Sequence, residues 1–514
     1  MVKTGLGALI KSLVRNRKGS ITPVFAALMV PLSMLAGFSV DLARAHEGRA
    51  KLQDAVDAAA LALAHQPAGT PLATLTTQAQ TWINGNLHDT DLAQPINVTI
   101  TNSNGQLILA AHTTEQAMVS GLVGLSTLTV AADSTVKWGL NHVEVALVLD
   151  NTGSMDKNNK IQTLASAAKT LVSTLMQQAG SDVNAVKISI VPFSMTVNAF
   201  GSQNVGASYT PPAGVTGIMP TDYGEDIFTT SNVNRFTLFN QLNKPWAGCV
   251  EARPYPYDTQ DTAPNTGTPA SMFVPFFAPD EPDTPSTGSG KFGNNYMSDG
   301  TLPKNPTWKQ RQGNALKYTG SVKSGSTLGP NSGCSLQPLV RLTNNASTLN
   351  STLGQMQAVG DTNLAIGLQW GWLTLSPNPP FGDGVAYNTP NTTKIIVFLT
   401  DGQNQNSDTS NSDDSTYSAE GYIWQKRLGL DVGSSQSDRT SAMDSRTAKI
   451  CSNIKAQNIV IYTVRIDVAT SQSPAVLQNC ATSPGQFYDV PQVSNLPTAF
   501  NAIAGEIGKL RIAQ

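Results

Sequence analysis

Three oxygen-bearing side chains, Asp150, Thr152 and Ser154, directly follow an apolar run over residues 143–149. A largely apolar run of this length is typical of a strand buried on both faces of a parallel sheet, and it brings the next residues to the sheet edge. Carboxylate and hydroxyl oxygens suit a hard cation such as Mg2+, with Mn2+ or Ca2+ as alternatives. The Asp-x-Thr-x-Ser spacing alone is a weak signal, so the prediction of a metal site depends on ligands from other segments.

Two later segments offer such ligands. Asp401 ends a second apolar run over residues 395–400, and Thr362 lies in a short loop that leads into a helical pattern. No histidine lies near these loops in the sequence, and catalysis would need a base or a nucleophile beside the metal. We therefore expect a binding site and not an enzyme. The alternatives are a metal-assisted hydrolase with the same ligands and a structural protein whose metal site is vestigial.

The elements that must position these residues alternate between strands and helices from residue 143 onward. Such alternation predicts an α/β fold with a doubly wound, mostly parallel, Rossmann-like sheet, which binds ligands at the carboxyl ends of its strands. The predicted strands are 143–149, 186–193, 395–400, 459–466 and 487–490, and the predicted helices are 160–176, 346–356, 364–373, 441–455 and a final helix with apolar residues from Leu496 to Leu510.

A long insertion, at about residues 198–335, interrupts this alternation. It is rich in Pro, Gly, Asn, Ser and Thr but also contains aromatic clusters, which favour an ordered, irregular subdomain or partner-binding surface over a flexible linker. Four cysteines allow three connectivities, of which we favour Cys249–Cys334 and Cys451–Cys480 because each pair lies within one region of the chain. The polar segment 408–414 is interpreted as a solvated loop beside the metal site.

Composition restricts the class of protein. The chain has 514 residues, of which 40% are hydrophobic and only 13% are charged, with a formal net charge of −2. This charge balance gives no reason to expect a nucleic-acid partner. Abundant Ser, Thr, Asn, Gln and Gly, together with an even number of cysteines, are typical of an exported protein with disulfides.

The N-terminus predicts how the chain is anchored. Lys11, Arg15, Arg17 and Lys18 precede an uncharged segment over residues 19–40, which is long enough to cross a bilayer as a helix. The basic flank favours a cytoplasmic N-terminus, which places the remainder outside the inner membrane. An alanine-rich helical pattern continues to residue 64 and ends before Pro67, so we expect one long helix, half in the membrane and half above it. The alternative is a cleaved signal peptide.

Residues 67–141 are predicted to form a small α+β spacer. A short helical pattern surrounds Trp82, and two alternating runs at 96–100 and 107–110 flank an Asn-Gly turn, which is typical of a β-hairpin. Further strands are expected at 128–132 and 135–138. The segment contains no motif that predicts chemistry.

The N-terminal segment resembles the start of TadE/TadG-like proteins of the tight-adherence (Flp) pilus assembly system. The resemblance rests on Lys18-Gly19-Ser20, the apolar segment, Val40-Asp41 and the alanine-rich run over residues 54–64. Pilin-related members carry a glutamate five residues after the glycine at which they are cleaved, whereas the fifth residue after Gly19 is Val24. We therefore expect an uncleaved anchor over residues 1–66.

The three oxygen-bearing loops resemble, in the right order, the metal-ion-dependent adhesion site of von Willebrand factor A domains. The resemblance covers most of residues 142–514 apart from the insertion. It implies a Mg2+ site whose ligands are Asp150, Thr152, Ser154, Thr362 and Asp401, with a position left for a carboxylate of a partner protein. Thr152 stands where many members have serine. The expected partners are pilus or pilus-assembly components.

Overall fold

The structure, a computed structural model, describes most of the chain. The basic residues Lys11, Arg15, Arg17 and Lys18, the glycine Gly19, and Pro67, Asn104 and Gly105 lie outside the described residues. The chain forms two compact units, Met1–Leu140 and Asn141–Gln514. The described residues are 22–64, 66, 70–87, 92–103, 106–118, 120–123, 126–137, 142–179, 182, 184–202, 218–219, 227–228, 233–283, 292–302, 304–320, 322–323, 328–467 and 474–512.

The first unit begins with a long helix, α1, which spans Thr22–Ala64. Its N-terminal half carries apolar side chains that are exposed by about half or more, including Val24, Leu28 and Leu35. Its most apolar stretch has a mean hydropathy of 1.8. Within the described residues, α1 is the one helix whose length and composition suit a membrane span, as the sequence predicted.

The C-terminal half of α1 packs in the core of the same unit. Leu52, Val56 and Leu63 are buried there, together with residues of a second helix and of a three-stranded antiparallel sheet. The predicted hairpin is confirmed, while the two short strands expected after it form a single strand. These elements are α2 (Leu72–Asn86), β1 (Asn97–Ser103), β2 (Gln106–Gln116) and β3 (Thr127–Lys137).

The second unit is built on an eight-stranded mixed sheet. Its strands are β4 (His142–Asp150), β5 (Val186–Phe193), β6 (Val197–Asn198), β7 (Cys249–Val250), β8 (Val340–Thr343), β9 (Thr392–Thr400), β10 (Val460–Ile466) and β11 (Phe487–Val490). The order is β11-β10-β9-β4-β5-β6-β7, and β8 pairs with β5. Pairing is parallel from β11 to β5 and antiparallel for β6, β7 and β8. The sheet and its helices fit the predicted α/β class.

Helices cover both faces of this sheet because side chains along each strand alternate between two cores. Along β4, Val145 and Leu147 enter the core with α3 (Lys160–Gln178), α6 (Ala346–Gly354) and α10 (Leu496–Ile512). Ala146 and Val148 enter the core on the other face with α7 (Leu364–Leu375) and α8 (Gln436–Ala456). A Cβ on Gly371 of α7 would lie 2.3 Å from Val148 Cγ2, so this glycine allows close packing. The helices of the unit are α3 (Lys160–Gln178), α4 (Arg235–Gln241), α5 (Trp308–Gln312), α6 (Ala346–Gly354), α7 (Leu364–Leu375), α8 (Gln436–Ala456), α9 (Ala475–Cys480) and α10 (Leu496–Ile512).

The described part of the insertion is ordered and adds an aromatic core beside α7. Phe273 packs against Trp370 of that helix with ring centroids 5.0 Å apart, and Phe277 packs against Tyr318 at 5.2 Å. Both favoured disulfides are present, Cys249–Cys334 within the insertion and Cys451–Cys480 between α8 and α9. The described part is therefore an irregular subdomain and not a flexible linker.

The expectation of a solvated loop over residues 408–414 is wrong at Asp413. This carboxylate is fully buried and accepts hydrogen bonds from Gln312 Nε2 at 3.1 Å and Trp424 Nε1 at 3.1 Å. Burial, followed by repulsion from Glu281, raises its pKa well above the ordinary aspartate value. The insertion covers the loop. The polar residues of the loop alone therefore do not predict that it is buried.

Candidate functional site

The first loop of the candidate site is organised by Asp150, the fully buried last residue of β4. One carboxylate oxygen accepts a hydrogen bond from the Thr152 backbone N–H at 2.7 Å, and the other accepts one from the Thr400 hydroxyl at 2.6 Å. Strand β9 runs parallel to β4 with Leu399 opposite Leu149, so both strands end at the same edge. Parallel pairing therefore brings Asp150 and Asp401 together.

A chain of hydrogen bonds joins the first loop to Asp401. The Ser154 hydroxyl donates to Asp401 Oδ1 at 2.6 Å, and the Thr152 and Ser154 hydroxyl oxygens are 3.0 Å apart. The Asp401 side chain is fully buried, whereas Ser154 is half-buried at the rim. Four of the five predicted ligand residues thus form one connected group at the carboxyl ends of β4 and β9.

Thr362, the fifth predicted ligand, lies in a loop tied to the first one by its backbone. Gly153 N–H donates to Gly360 O at 2.9 Å, and Val359 N–H donates to Asn151 O at 2.7 Å. Thr362 is buried, and its carbonyl accepts a hydrogen bond from Gln405 N–H at 2.8 Å. The structure therefore places Thr362 beside the first loop, but no hydrogen bond among the described residues joins its hydroxyl to the other four side chains.

Two charged residues at this edge were missed by sequence reasoning. The Lys160 ammonium, from the first residue of α3, lies 2.7 Å from Asp401 Oδ2 and 3.4 Å from Asp467 Oδ2. Asp467 directly follows β10, which neighbours β9. Three adjacent strands therefore each end at an aspartate or are directly followed by one. The run Val464-Arg465-Ile466-Asp467 carried the same strand-end signal as the other two.

The electrostatics of the site are set by burial of like charges. Burial, followed by repulsion from the nearby Asp401 carboxylate, raises the pKa of the Asp150 carboxyl to about 7, against the lowering effect of the hydrogen bonds from Thr400 and Thr152. The Lys160 ammonium compensates Asp401 directly. A second positive charge beside Asp150 would therefore stabilise its ionised form.

This raised pKa predicts how the stability of the metal-free second unit depends on pH. Because the pKa of Asp150 rises from 3.8 to about 7 on folding, the folded state retains a proton that the unfolded state releases in that window. The free energy of unfolding is expected to fall as pH rises through it, by at most about 1.4 kcal/mol per pH unit. Urea titrations in EDTA at several pH values measure this slope.

The variant Asp150→Asn is the control for that titration, since it keeps the side-chain shape and removes the ionisable group. Other buried acids, such as Asp258 with a pKa raised to about 6 by burial, remain in both proteins. The slope of the variant is expected to be flatter than that of the wild type. Equal slopes would contradict the assignment of this pH dependence to Asp150.

The donor set fits a hard cation better than a soft one. All five predicted ligands offer oxygen, and no group of three or more His, Cys, Asp or Glu side chains within the described residues is arranged to hold a metal. Any ion here would thus depend on hydroxyls, water or a partner for part of its coordination. His142, at the other end of β4, is 2.9 Å from Asp182 and belongs to no such group.

The family comparison concerns the N-terminal helix. Residues 19–65 match the family model "Putative Flp pilus-assembly TadE/G-like". No curated protein matches the chain. The matched segment coincides with most of α1, in agreement with the resemblance seen in the sequence.

Several solved structures match this chain at low identity and with low TM-scores. The pilus adhesin SpaC from Lactobacillus rhamnosus GG is 13% identical, with a TM-score of 0.32, and the match covers 83% of this chain but only 36% of SpaC. The vWF domain of the type V pili tip protein Mfa5 from Porphyromonas gingivalis is 9% identical, covers 72% of this chain and 95% of that one, and has a TM-score of 0.32. The adhesive tip pilin GBS104 from Group B Streptococcus agalactiae is 10% identical, with coverages of 71% and 99% and a TM-score of 0.33. The chain thus spans about a third of SpaC, and its N-terminal helix is similar to TadE/G-like proteins.

Proposed function

We propose that the protein is a membrane-anchored, extracytoplasmic component of pilus assembly or adhesion. The match of residues 19–65 to TadE/G-like proteins supports the pilus association. The exposed apolar half of α1 supports the anchor. The basic residues before it favour a single-pass orientation in the inner membrane, with the N-terminus in the cytoplasm and the bulk in the periplasm.

The cysteines support this location. All four are paired in two disulfides, and both lie in the second unit. Disulfides persist in oxidising compartments such as the periplasm and are rare in the cytosol. The second unit is therefore proposed to be exported.

We further propose that the second unit is a von Willebrand A domain with a doubly wound core whose sheet edge binds Mg2+. Asp150, Thr152, Ser154, Thr362 and Asp401 would hold the ion. The observation that carries this proposal is the connected group of Asp150, Thr152, Ser154 and Asp401 oxygens at the ends of two parallel strands. The bound ion would supply a positive charge that accepts a carboxylate from a partner protein.

The chain's own residues prepare the site for binding and not for turnover. Thr400 and the Thr152 N–H orient the Asp150 carboxylate, and Ser154 and Lys160 orient the two oxygens of Asp401. The half-buried Ser154 marks the side open to a partner. Pilus components with an exposed acidic side chain are the proposed partners.

One observation favours a second candidate, a structural protein with a vestigial metal site. The Lys160 ammonium already supplies a positive charge to Asp401 and lies within reach of Asp467. In this alternative, the lysine compensates the strand-end carboxylates permanently. Binding of Mg2+ to the isolated protein distinguishes the two.

Calorimetric titration of the full chain in detergent with Mg2+ is the direct test. Wild type is expected to bind one ion, and Asp150→Asn is expected to lose the binding because the central carboxylate is removed. The matched control is Asp182→Asn, which changes an aspartate near the opposite end of β4 that pairs with His142. Equal Mg2+ affinities in wild type and Asp150→Asn, or no binding by wild type, would refute the metal site.

A further inference from the structure

A polar pocket lies beside α1 just above its apolar half. Its volume is about 140 Å3, and it is formed within the first unit by α1, the segment before β1, and the ends of β2 and β3. The α1 residues that line it include Asp41, Arg44, Gly48 and Lys51, which recur at helical spacing and so share one face. The pocket thus lies along one face of the helix that is proposed to enter the membrane.

The position of the pocket corresponds to the depth of lipid headgroups. The described apolar part of α1 before Asp41 contains 19 residues, Thr22 to Val40, and spans about 29 Å at the helical rise, close to the hydrocarbon thickness of a bilayer. Arg44 lies about 6 Å beyond that boundary, within the roughly 5–7 Å of the headgroup layer. The opening of the pocket is therefore expected at the membrane surface.

The acidic groups of the pocket are largely held by the protein. Asp41 is buried and accepts hydrogen bonds from Ser120 N–H at 2.8 Å and from the Ser120 hydroxyl at 2.6 Å. Glu115 Oε1 accepts one from Ala93 N–H. Because these hydrogen bonds fix both carboxylates, the two negative charges keep their positions in the lining of the pocket.

Arg44 supplies a positive charge in the lining of the pocket. Its side chain is exposed, and none of the hydrogen bonds or ion pairs among the described residues uses its guanidinium. A guanidinium presents paired donors that match the oxygens of a phosphate. The lining of the pocket therefore includes a phosphate-binding group as well as fixed carboxylates.

An apolar stripe continues from the pocket into the membrane-facing half of the helix. Met34, Gly37 and Phe38 precede Asp41 at the same helical spacing, and Met34 and Phe38 are 38% and 40% exposed. A lipid whose headgroup occupies the pocket can pack its acyl chain along this stripe, whereas a free phosphate ester leaves the stripe without a partner. The pocket and the stripe together therefore favour a lipid over a free phosphate ester.

We propose that this pocket binds the headgroup of phosphatidylethanolamine, an inference that rests on the proposed membrane anchor. Arg44 would take the phosphate, and Glu115 would accept hydrogen bonds from the ammonium. The lining has three carboxylates, Asp41, Glu47 and Glu115, against the cations Arg44 and Lys51, so a zwitterionic headgroup fits better than an anionic one. Choline has no N–H to donate to Glu115.

Native mass spectrometry of the detergent-solubilised full chain tests this proposal. The protein is offered equal amounts of phosphatidylethanolamine, phosphatidylglycerol and phosphatidylcholine with the same acyl chains. Wild type is expected to retain phosphatidylethanolamine preferentially. Arg44→Gln is expected to lower its retention about tenfold, the effect of one lost charged contact. Glu115→Gln is expected to reduce the preference over phosphatidylcholine.

Matched controls separate the possible failures. Arg49→Gln removes an exposed arginine from the same helix outside the pocket and is expected to behave as wild type. Equal effects of Arg44→Gln and Arg49→Gln, equal retention of the three lipids, or displacement of the lipid by millimolar glycerophosphoethanolamine would overturn the lipid site. Alkaline carbonate extraction tests the anchor separately, since release of the protein from membranes would refute the anchor itself.

Discussion

Replacing Lys160 by methionine is expected to lower the free energy of unfolding of the second unit by about 3–5 kcal/mol in metal-free buffer. The lysine side chain is 7% exposed, and the Asp401 side chain that it contacts is fully buried. Removing the ammonium leaves the buried Asp401 carboxylate without its cation and beside a second acidic group, the Asp150 carboxyl. Urea unfolding of the full chain in detergent, followed by tryptophan fluorescence, measures the loss.

Adding Mg2+ to the Lys160→Met variant tests whether the sheet edge binds the ion. If the edge binds the ion, Mg2+ replaces the missing positive charge, and a concentration 100-fold above its dissociation constant restores about 2.7 kcal/mol. The affinity for Mg2+ is also expected to exceed that of wild type, because one competing cation is gone. Lys157→Met, which changes an exposed lysine three residues earlier, is the control and is expected to have little effect. Destabilisation of Lys160→Met without any recovery in Mg2+ would favour the vestigial site.

The second large effect is expected from the disulfide that closes the insertion. Its cysteines are 85 residues apart, and a cross-link of that span limits the unfolded chain enough to contribute about 4–5 kcal/mol in the loop-entropy model. The double variant Cys249→Ser/Cys334→Ser is therefore expected to unfold at a markedly lower urea concentration. The measurement is again urea unfolding, under conditions that leave the other disulfide oxidised.

The other disulfide provides the comparison for this prediction. Cys451 and Cys480 are 29 residues apart, so their replacement by serine is expected to cost about 1 kcal/mol less. The decisive observation is which of the two disulfides costs more stability when it is removed. A larger loss from the Cys451/Cys480 pair would show that local packing around α8 and α9 matters more than the length of the closed loop.

Several elements were predictable because short stretches of sequence show the apolar pattern of their buried residues. The strands 186–193 and 487–490 have the bounds that the apolar runs predicted, and β4 begins one residue earlier and ends one residue later than expected. The helices α3, α6, α7, α8 and α10 were found by their apolar spacing, although α8 begins earlier, at Gln436, because Ser435 caps it. The short helices α4, α5 and α9 were not predicted. Strand ends also predicted where the candidate ligands would lie.

The missed residues depend on contacts between distant parts of the chain. A lysine at a helix start normally predicts solvent exposure, and Lys160 meets Asp401 only because β4 and β9 are neighbours in the sheet. Asp467 carried a strand-end signal, but no motif draws attention to it. Asp413 is buried by the insertion, whose irregular backbone has no periodicity from which its contacts could be inferred.

The two ends of the insertion meet at one point of the sheet. Leu339 N–H donates to Asn198 O at 2.8 Å, and the Asn198 side chain donates to Leu336 O at 3.0 Å. A segment that leaves and returns at neighbouring positions can change in length and content without moving the strands on either side. The strand ends that carry Asp150 and Asp401 can thus stay constant while the surface beside them is exchanged, which would allow related chains to keep one chemistry and diversify in what they recognise.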